Sequence, residues 1–176
     1  MSEESKKAMI SRKEAVTEVR KACKQFAMLY FNFVNTLVKR YGICDAKEIV
    51  QNTVFELALE RSNAMRDKAQ ELGLDCTVET MNKVTDIPFL GWDETMGKDH
   101  CPYAEQWNKY YDNYPWFKEF ALLYCDVIDT TNYENFTRSV TQKITKNVLD
   151  GDNVCERVFI KKEDLNEGKY TCRDDK

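Results

Sequence analysis

Three cysteines and one carboxylate have residue types and spacings suited to covalent or acid–base chemistry. Cys101 directly precedes Pro102, and proline is favoured at the first position of a helix. A thiol placed there feels the positive end of the helix dipole and unpaired backbone N–H groups, both of which favour the nucleophilic thiolate. His100, the only histidine in the chain, is its sequence neighbour. Cys125 and Asp129 stand four residues apart in a predicted helix and share a face. A carboxylate so placed can act as a general base or orient a substrate amine. Cys155 follows the Gly151-Asp152 turn near the start of a predicted strand. Each residue also has a plain structural reading: a buried cysteine beside a surface histidine, and an aspartate that ends its helix at Thr130-Thr131-Asn132. Cys101, Cys125 and Cys155, converging with His100 or a carboxylate, could also hold zinc, although their separations match no local zinc motif.

These residues need elements to position them. Ser11 with Glu14 three residues later forms a capping-box signal. After it, Ala15, Val19, Ala22, Phe26, Leu29, Phe33 and Leu37 recur at helical spacing up to Gly42. Asp45 and Glu48 repeat the signal, and Ile49, Leu57, Ala58 and Met65 continue a second apolar face to a stop at Gly73. Thr77 to Met81 alternates like a short strand, and Trp92 to Met96 reads as another. Pro102 opens a helix through Tyr103, Ala104 and Trp107. Pro115 opens the next, with Phe117, Phe120, Ala121, Tyr124, Cys125 and Ile128 on its buried side. Beyond Asn135 the Thr- and Val-rich stretch, the Asp150-Gly151-Asp152-Asn153 turn and Val154 to Lys161 read as a hairpin. The expected fold is α+β: two long N-terminal helices packed on a small antiparallel sheet, with two shorter helices inserted between strands. Residues 1–10 are read as a flexible N-terminus, 11–161 as a single domain and 162–176 as a polar C-terminal tail.

The chain has 176 residues, 43% hydrophobic and 12% aromatic, enough for a packed core. A net charge of −4, with no Lys/Arg stripe, argues against nucleic acid as a partner. No apolar run approaches a membrane span, and the first ten residues lack an apolar signal core, so a cytoplasmic protein with reduced thiols is expected. Seven cysteines occur, none in a C-x-x-C pair. There is no Gly-x-Ser-x-Gly, P-loop or dinucleotide glycine fingerprint, and one histidine excludes a His-rich metal site.

Taken in order, Cys101-Pro102-Tyr103-Ala104-Glu105, Cys125 with Asp129, Thr145, and Leu149-Asp150-Gly151-Asp152-x-x-Cys155 resemble the L-2-amino-thiazoline-4-carboxylic acid hydrolase family of small bacterial proteins. The similar block spans about residues 90 to 160. The resemblance implies hydrolytic opening of a cyclic amidine to a carbamoyl-cysteine. It implies Cys101, Cys125, Asp129 and Cys155 as the catalytic set, and Tyr103, Glu105, Arg138 and Thr145 beside a small-molecule substrate. Cys101 is then the preferred nucleophile, with Asp129 holding the amidinium; a water activated by Asp129 is the other route. The chain departs from the family pattern at Lys143-Ile144, Asn147 and Arg157, so either Lys143, Arg138 or Arg157 supplies the cation for a substrate carboxylate or the substrate differs. No cofactor is expected, and a homodimer is one expected form of the chain. The Gly151-Asp152-x-x-Cys155-Glu156 ending also resembles vinyl-reductase-type sensor domains, which implies instead a small-molecule-binding domain with a structural zinc.

Overall fold

A computed structural model describes residues 10–166. Helix α1 (Arg12–Tyr41) starts at the expected capping box: Ser11 Oγ accepts the Glu14 N–H at 3.2 Å, and the Glu14 carboxylate accepts the Ser11 N–H at 3.0 Å. Helix α2 (Ile43–Glu71) follows after one residue, Gly42, whose φ of 82° only glycine adopts without strain. This sharp joint starts α2 at Ile43, ahead of Asp45 and Glu48. The helix stops before Gly73, itself at φ 65°.

The innermost residues of α1 are Arg20, Cys23, Ala27, Phe31 and Val34. The expected stripe is therefore rotated away from the core: Phe26 and Leu37 are half-buried, whereas Leu29 and Phe33 face solvent. The reason lies at Ala27, whose missing bulk admits Trp107; the indole N–H donates to the Ala27 carbonyl at 2.8 Å.

Neither early strand forms. Thr77 to Met81 belongs to helix α3 (Val78–Val84), because Thr77 and Thr80 cap each other reciprocally and Met81 and Val84, three apart, enter a core with Met65, Ala69 and Phe136. The alternation at 77–81 is overruled by that cap. Trp92 to Met96 leads into a 3-10 turn (Glu94–Asp99) capped by the Asp93 carboxylate on the Thr95 N–H. Helix α4 (Pro102–Trp107) has Cys101 at its N-cap, as expected. Helix α5 (Phe117–Thr137) buries Phe117, Phe120, Ala121, Tyr124 and Ile128.

α5 runs past Asn135 because that side chain bonds inward, donating to Ser62 Oγ at 2.7 Å. The Arg66 guanidinium also caps the Asn135 and Phe136 carbonyls. Arg138, left-handed at φ 64°, ends the helix. Strands β1 (Val140–Lys146) and β2 (Glu156–Lys161) pair antiparallel, the expected hairpin, with an irregularity between Ile144 and Lys146. The chain is α+β. Because the early segments are helical, α4 and α5 precede the hairpin, which packs on α5, while α5 packs on α2 and α4 on α1. Where a tail was expected, α6 (Lys162–Asn166) adds a helical turn, its Lys162 N–H donating to the Ser139 carbonyl. The rest of that tail and residues 1–9 lie outside the described residues.

One buried cation ties the loop before α4 to α1. Arg20 Nη1 donates to the Gly91 carbonyl at 2.7 Å and the His100 carbonyl at 3.1 Å. Its Nη2 donates to the Asp99 carbonyl and to Glu105 Oε2, both at 2.7 Å. Gly91 lies against the same helix so closely that a Cβ there would meet Val19 Cγ1 at 2.8 Å. Val19 is β-branched and stiff, so it has little room to yield. Gly91→Ala is therefore expected to cost about 1–3 kcal/mol in a denaturant titration; an unchanged midpoint would show that the loop can lift off α1.

Candidate functional site

The candidate site is built where α4, α5 and the hairpin meet. Cys101 enters it because Pro102 starts α4 there; no hydrogen bond from the first turn closes on its sulfur, although the Tyr103 and Ala104 backbone and Trp92 pull its titration down. Burial outweighs this pull, and the thiol is pushed up rather than down. The thiolate expected from the helix dipole is thus not the resting form, since α4 is short and its cap is packed against the core. Burial, then the Asp129 charge, push Cys125 well above the usual thiol range, and Cys101 and Cys155 add to the push. Burial also raises Cys155 against the opposing pull of the Val148 backbone and Arg157. The three thiols, from three separate elements, lie within electrostatic range of one another and rest protonated.

Asp129 does not end its helix. It projects one turn beyond Cys125 toward β2, where Arg157 donates to its Oδ2 twice, from Nε at 2.9 Å and from Nη2 at 2.5 Å. One turn further, Tyr133 meets Phe159 with ring centroids 4.8 Å apart. The alternate residues of β2 thus run along one stripe of α5, as the strand period of 2 and the helix spacing of 4 allow. Both Arg157 bonds fall on one oxygen, so Asp129 Oδ1 has no partner among the described residues. Burial opposes the Arg157 charge, but Asp129 more than compensates and holds it up.

The other expected residues divide. Tyr103 stands beside Cys101, its ring packed among Phe26, Trp92, Trp107 and Tyr124, its hydroxyl pushed up by burial. Glu105 turns away to α1. Burial works against its charge, yet Lys24 (2.5 Å) and Arg20 hold its carboxyl below the usual range. It is a structural anchor, which two neighbours on one α4 turn could not reveal. Arg138 is exposed at the far end of α5, about 20 Å along the helix from Cys125. His100 directs Nδ1 to the Gly97 carbonyl at 2.8 Å, inside its own loop. Thr145 is exposed on β1 and lines an adjoining groove of about 400 Å³, with Leu123, Asp126, Asn147 and Asp152. Asn147 joins groove and site: its Oδ1 lies 3.8 Å from the Cys155 sulfur, within reach of the thiol proton. The Asp126 carboxyl in that groove is pushed up by burial and by the nearby Asp129 charge.

Sequence reasoning missed Tyr111. Its hydroxyl is buried without a hydrogen-bond partner among the described residues and is pushed up by burial and by Cys125 and Asp150. No spacing rule marks it within the run Tyr110-Tyr111. Among the described residues no group of three or more His, Cys, Asp or Glu stands in an arrangement that could hold a metal ion. The thiols share a neighbourhood without forming a zinc cage. No protein-family profile, curated protein or solved structure matches the chain.

The burial of the thiols sets a pH response. Groups raised above the ordinary thiol value of about 8.5 favour the fold below that pH and lose this contribution as pH climbs through their own higher values. Thermal midpoints should therefore fall above about pH 8.5, and Cys101→Ser should lessen the fall; a flat profile would contradict the burial. At neutral pH, maleimide should label exposed Cys44 well before Cys101, Cys125 or Cys155.

Proposed function

We propose that the chain is a small-molecule hydrolase that opens the C–N bond of a cyclic amidine, the reaction of the L-2-amino-thiazoline-4-carboxylic acid hydrolase family that its motifs resemble. The observation that carries this reading is the half-occupied carboxylate of Asp129. Arg157 fixes one oxygen, and the other has no partner among the described residues, within electrostatic range of Cys125 and Cys155. A planar amidinium offers N–H donors to such an oxygen, and the ion pair keeps the amidine protonated on nitrogen and its ring carbon electrophilic.

Cys101 is the nucleophile in this reading, because the Tyr103 and Ala104 backbone favours its thiolate against burial. It rests as a thiol, so the bound cation, together with that backbone, stabilises the thiolate at the moment of attack. The sulfur bonds to the ring carbon and the thiol proton passes to the ring nitrogen. The C–N bond then breaks, and the Tyr111 hydroxyl, unpartnered and protonated, can bond the departing amine. Water then adds to the thioimidate with Asp129 as base, and expulsion of the Cys101 sulfur restores the thiol and leaves a carbamoyl product. The groove beside Asn147 supplies the approach, and its carboxylates favour a cation. We take the enzyme to work in the cytoplasm, a reading supported by six free cysteines among the described residues. The rival reading, a vinyl-reductase-type sensor domain built around zinc, lacks a ligand cage among the described residues.

The test is turnover of 2-amino-thiazoline-4-carboxylate followed by mass spectrometry of the carbamoyl product. The wild-type chain should turn it over. Cys101→Ala and Asp129→Asn should each lose about 10²–10⁴-fold in kcat, Cys101→Ala with a melting temperature close to wild type and Asp129→Asn with a lower one, since it loosens Arg157. Tight binding of the compound without turnover would support the sensor reading, and neither binding nor turnover would end the proposal.

A further inference from the structure

We infer that Arg61, Tyr103 and Tyr124 form a subsite for a carboxylate ligand with a flat apolar body. The subsite does not depend on the proposed hydrolysis, since its ligand is recognised by donors rather than by thiols. Arg61, on α2, spends one side of its guanidinium within the fold: Nε donates to Asp86 Oδ2 at 2.8 Å and Nη2 to Asp86 Oδ1 at 2.6 Å. The end-on edge, Nη1 with the second Nη2 hydrogen, has no partner among the described residues. Such an edge takes both oxygens of a carboxylate. The Arg61 side chain is 21% exposed, which leaves an approach from solvent. Tyr124, on α5, is only 5% exposed, yet its hydroxyl has no hydrogen-bond partner among the described residues, and neither has that of Tyr103 on α4. Buried tyrosine hydroxyls are ordinarily paired. Tyr30 beside them obeys the rule, donating to the Phe120 carbonyl at 2.9 Å. The two idle hydroxyls belong to rings 6.2 Å apart, edge to face, and both lie within electrostatic range of Arg61.

The ligand class follows from what these groups lack. A guanidinium has donors only, and each phenol, kept protonated by burial, has a proton to give. Asp86, the acid in range of Tyr103, already spends both oxygens on Arg61. The three side chains therefore call for a negatively charged acceptor. One guanidinium, shared with Asp86, matches the single charge of a carboxylate and not a dianionic phosphate. The surroundings are aromatic: the Tyr103 ring lies 5.2 Å from Phe26 and 5.4 Å from Trp92, which suits a planar apolar body. The segment from Asp86 to Trp92 crosses from α2 to α1, with Asp86 on Arg61 and Gly91 against Val19. Asp86 thus fixes the guanidinium plane in advance, so little side-chain freedom remains to be lost on binding. Tyr103 is also within electrostatic range of Cys101, which sets the subsite beside the thiols.

Titration of the full chain with benzoate, benzamide and inorganic phosphate, followed by NMR chemical shifts, tests this. Benzoate should bind the wild-type protein with a Kd on the order of 1 mM. Benzamide keeps the ring and loses the charge, and should bind about tenfold more weakly or not at all; phosphate should be as poor. Tyr124→Phe and Arg61→Lys should each weaken benzoate about tenfold. The phenylalanine variant removes a hydroxyl that bonds nothing in the fold, so its melting temperature should not fall. The lysine variant keeps a charge beside Asp86 and loses the forked edge. The subsite is overturned if benzoate fails to bind, binds no better than benzamide or phosphate, or binds either variant as tightly as wild type. A lower melting temperature in Tyr124→Phe would overturn it too, since the hydroxyl would then serve the fold.

Discussion

The candidate site depends on one guanidinium. Arg20 is buried, and its two terminal nitrogens reach four oxygens contributed by Gly91, Asp99, His100 and Glu105. Three of these oxygens are backbone carbonyls of a segment with little regular structure, which could not otherwise satisfy buried polar groups. The fourth belongs to α4, so the same cation that gathers the loop also fixes the helix that carries Cys101. A buried charge is tolerable only when it is fully bonded, and Lys24 beside Glu105 completes the arrangement.

On the opposite side of Cys101 the organising element is α5. It buries an aromatic face, including Phe117, Phe120 and Tyr124, in the core, and offers Cys125, Asp129 and Tyr133 to the hairpin. The hairpin is only two strands, a form with marginal stability in isolation. Its docking on α5 through Arg157 and Phe159 gives it a support and also brings Cys155 near Cys125. Stability and site assembly are thus the same contacts. Because these contacts exclude water, they raise every thiol at the junction, and reactivity has to come from what binds there rather than from the resting electrostatics.

α1 carries two apolar stripes, and only one can face a given core. Periodicity measures each stripe without ranking them; Ala27 decides, because a small residue lets the Trp107 ring approach the helix backbone. The losing stripe, Leu29 and Phe33, stays outside with a charge-poor border. A helix pattern in one chain can therefore leave one apolar stripe in the core and another on the surface.

What the sequence by itself determined is local. Ser11 with Glu14 starts α1, Gly42 and Gly73 bound α2, Pro102 places Cys101 at a helix cap, and Asp150-Gly151 turns the hairpin; each acts through its own backbone conformation and near neighbours. The grouping of Cys101, Cys125, Cys155 and Asp129 was legible only as an ordered motif; the structure sets the three thiols within electrostatic range of one another and Asp129 within range of Cys125 and Cys155, with Thr145 in the adjoining groove and Glu105 and Arg138 turned elsewhere. The misreadings share a cause. Thr77 to Met81 alternates like a strand but is short, and a reciprocal Thr cap with two core contacts outweighs the alternation. Only the tertiary structure decided that Glu105 serves Arg20, that Arg157 occupies one oxygen of Asp129, and that burial prevails over the helix dipole at Cys101. Those outcomes depend on which side chains from distant segments share a dry space, and solvation and Coulomb energies there follow distance in space, which spacing along the chain does not encode.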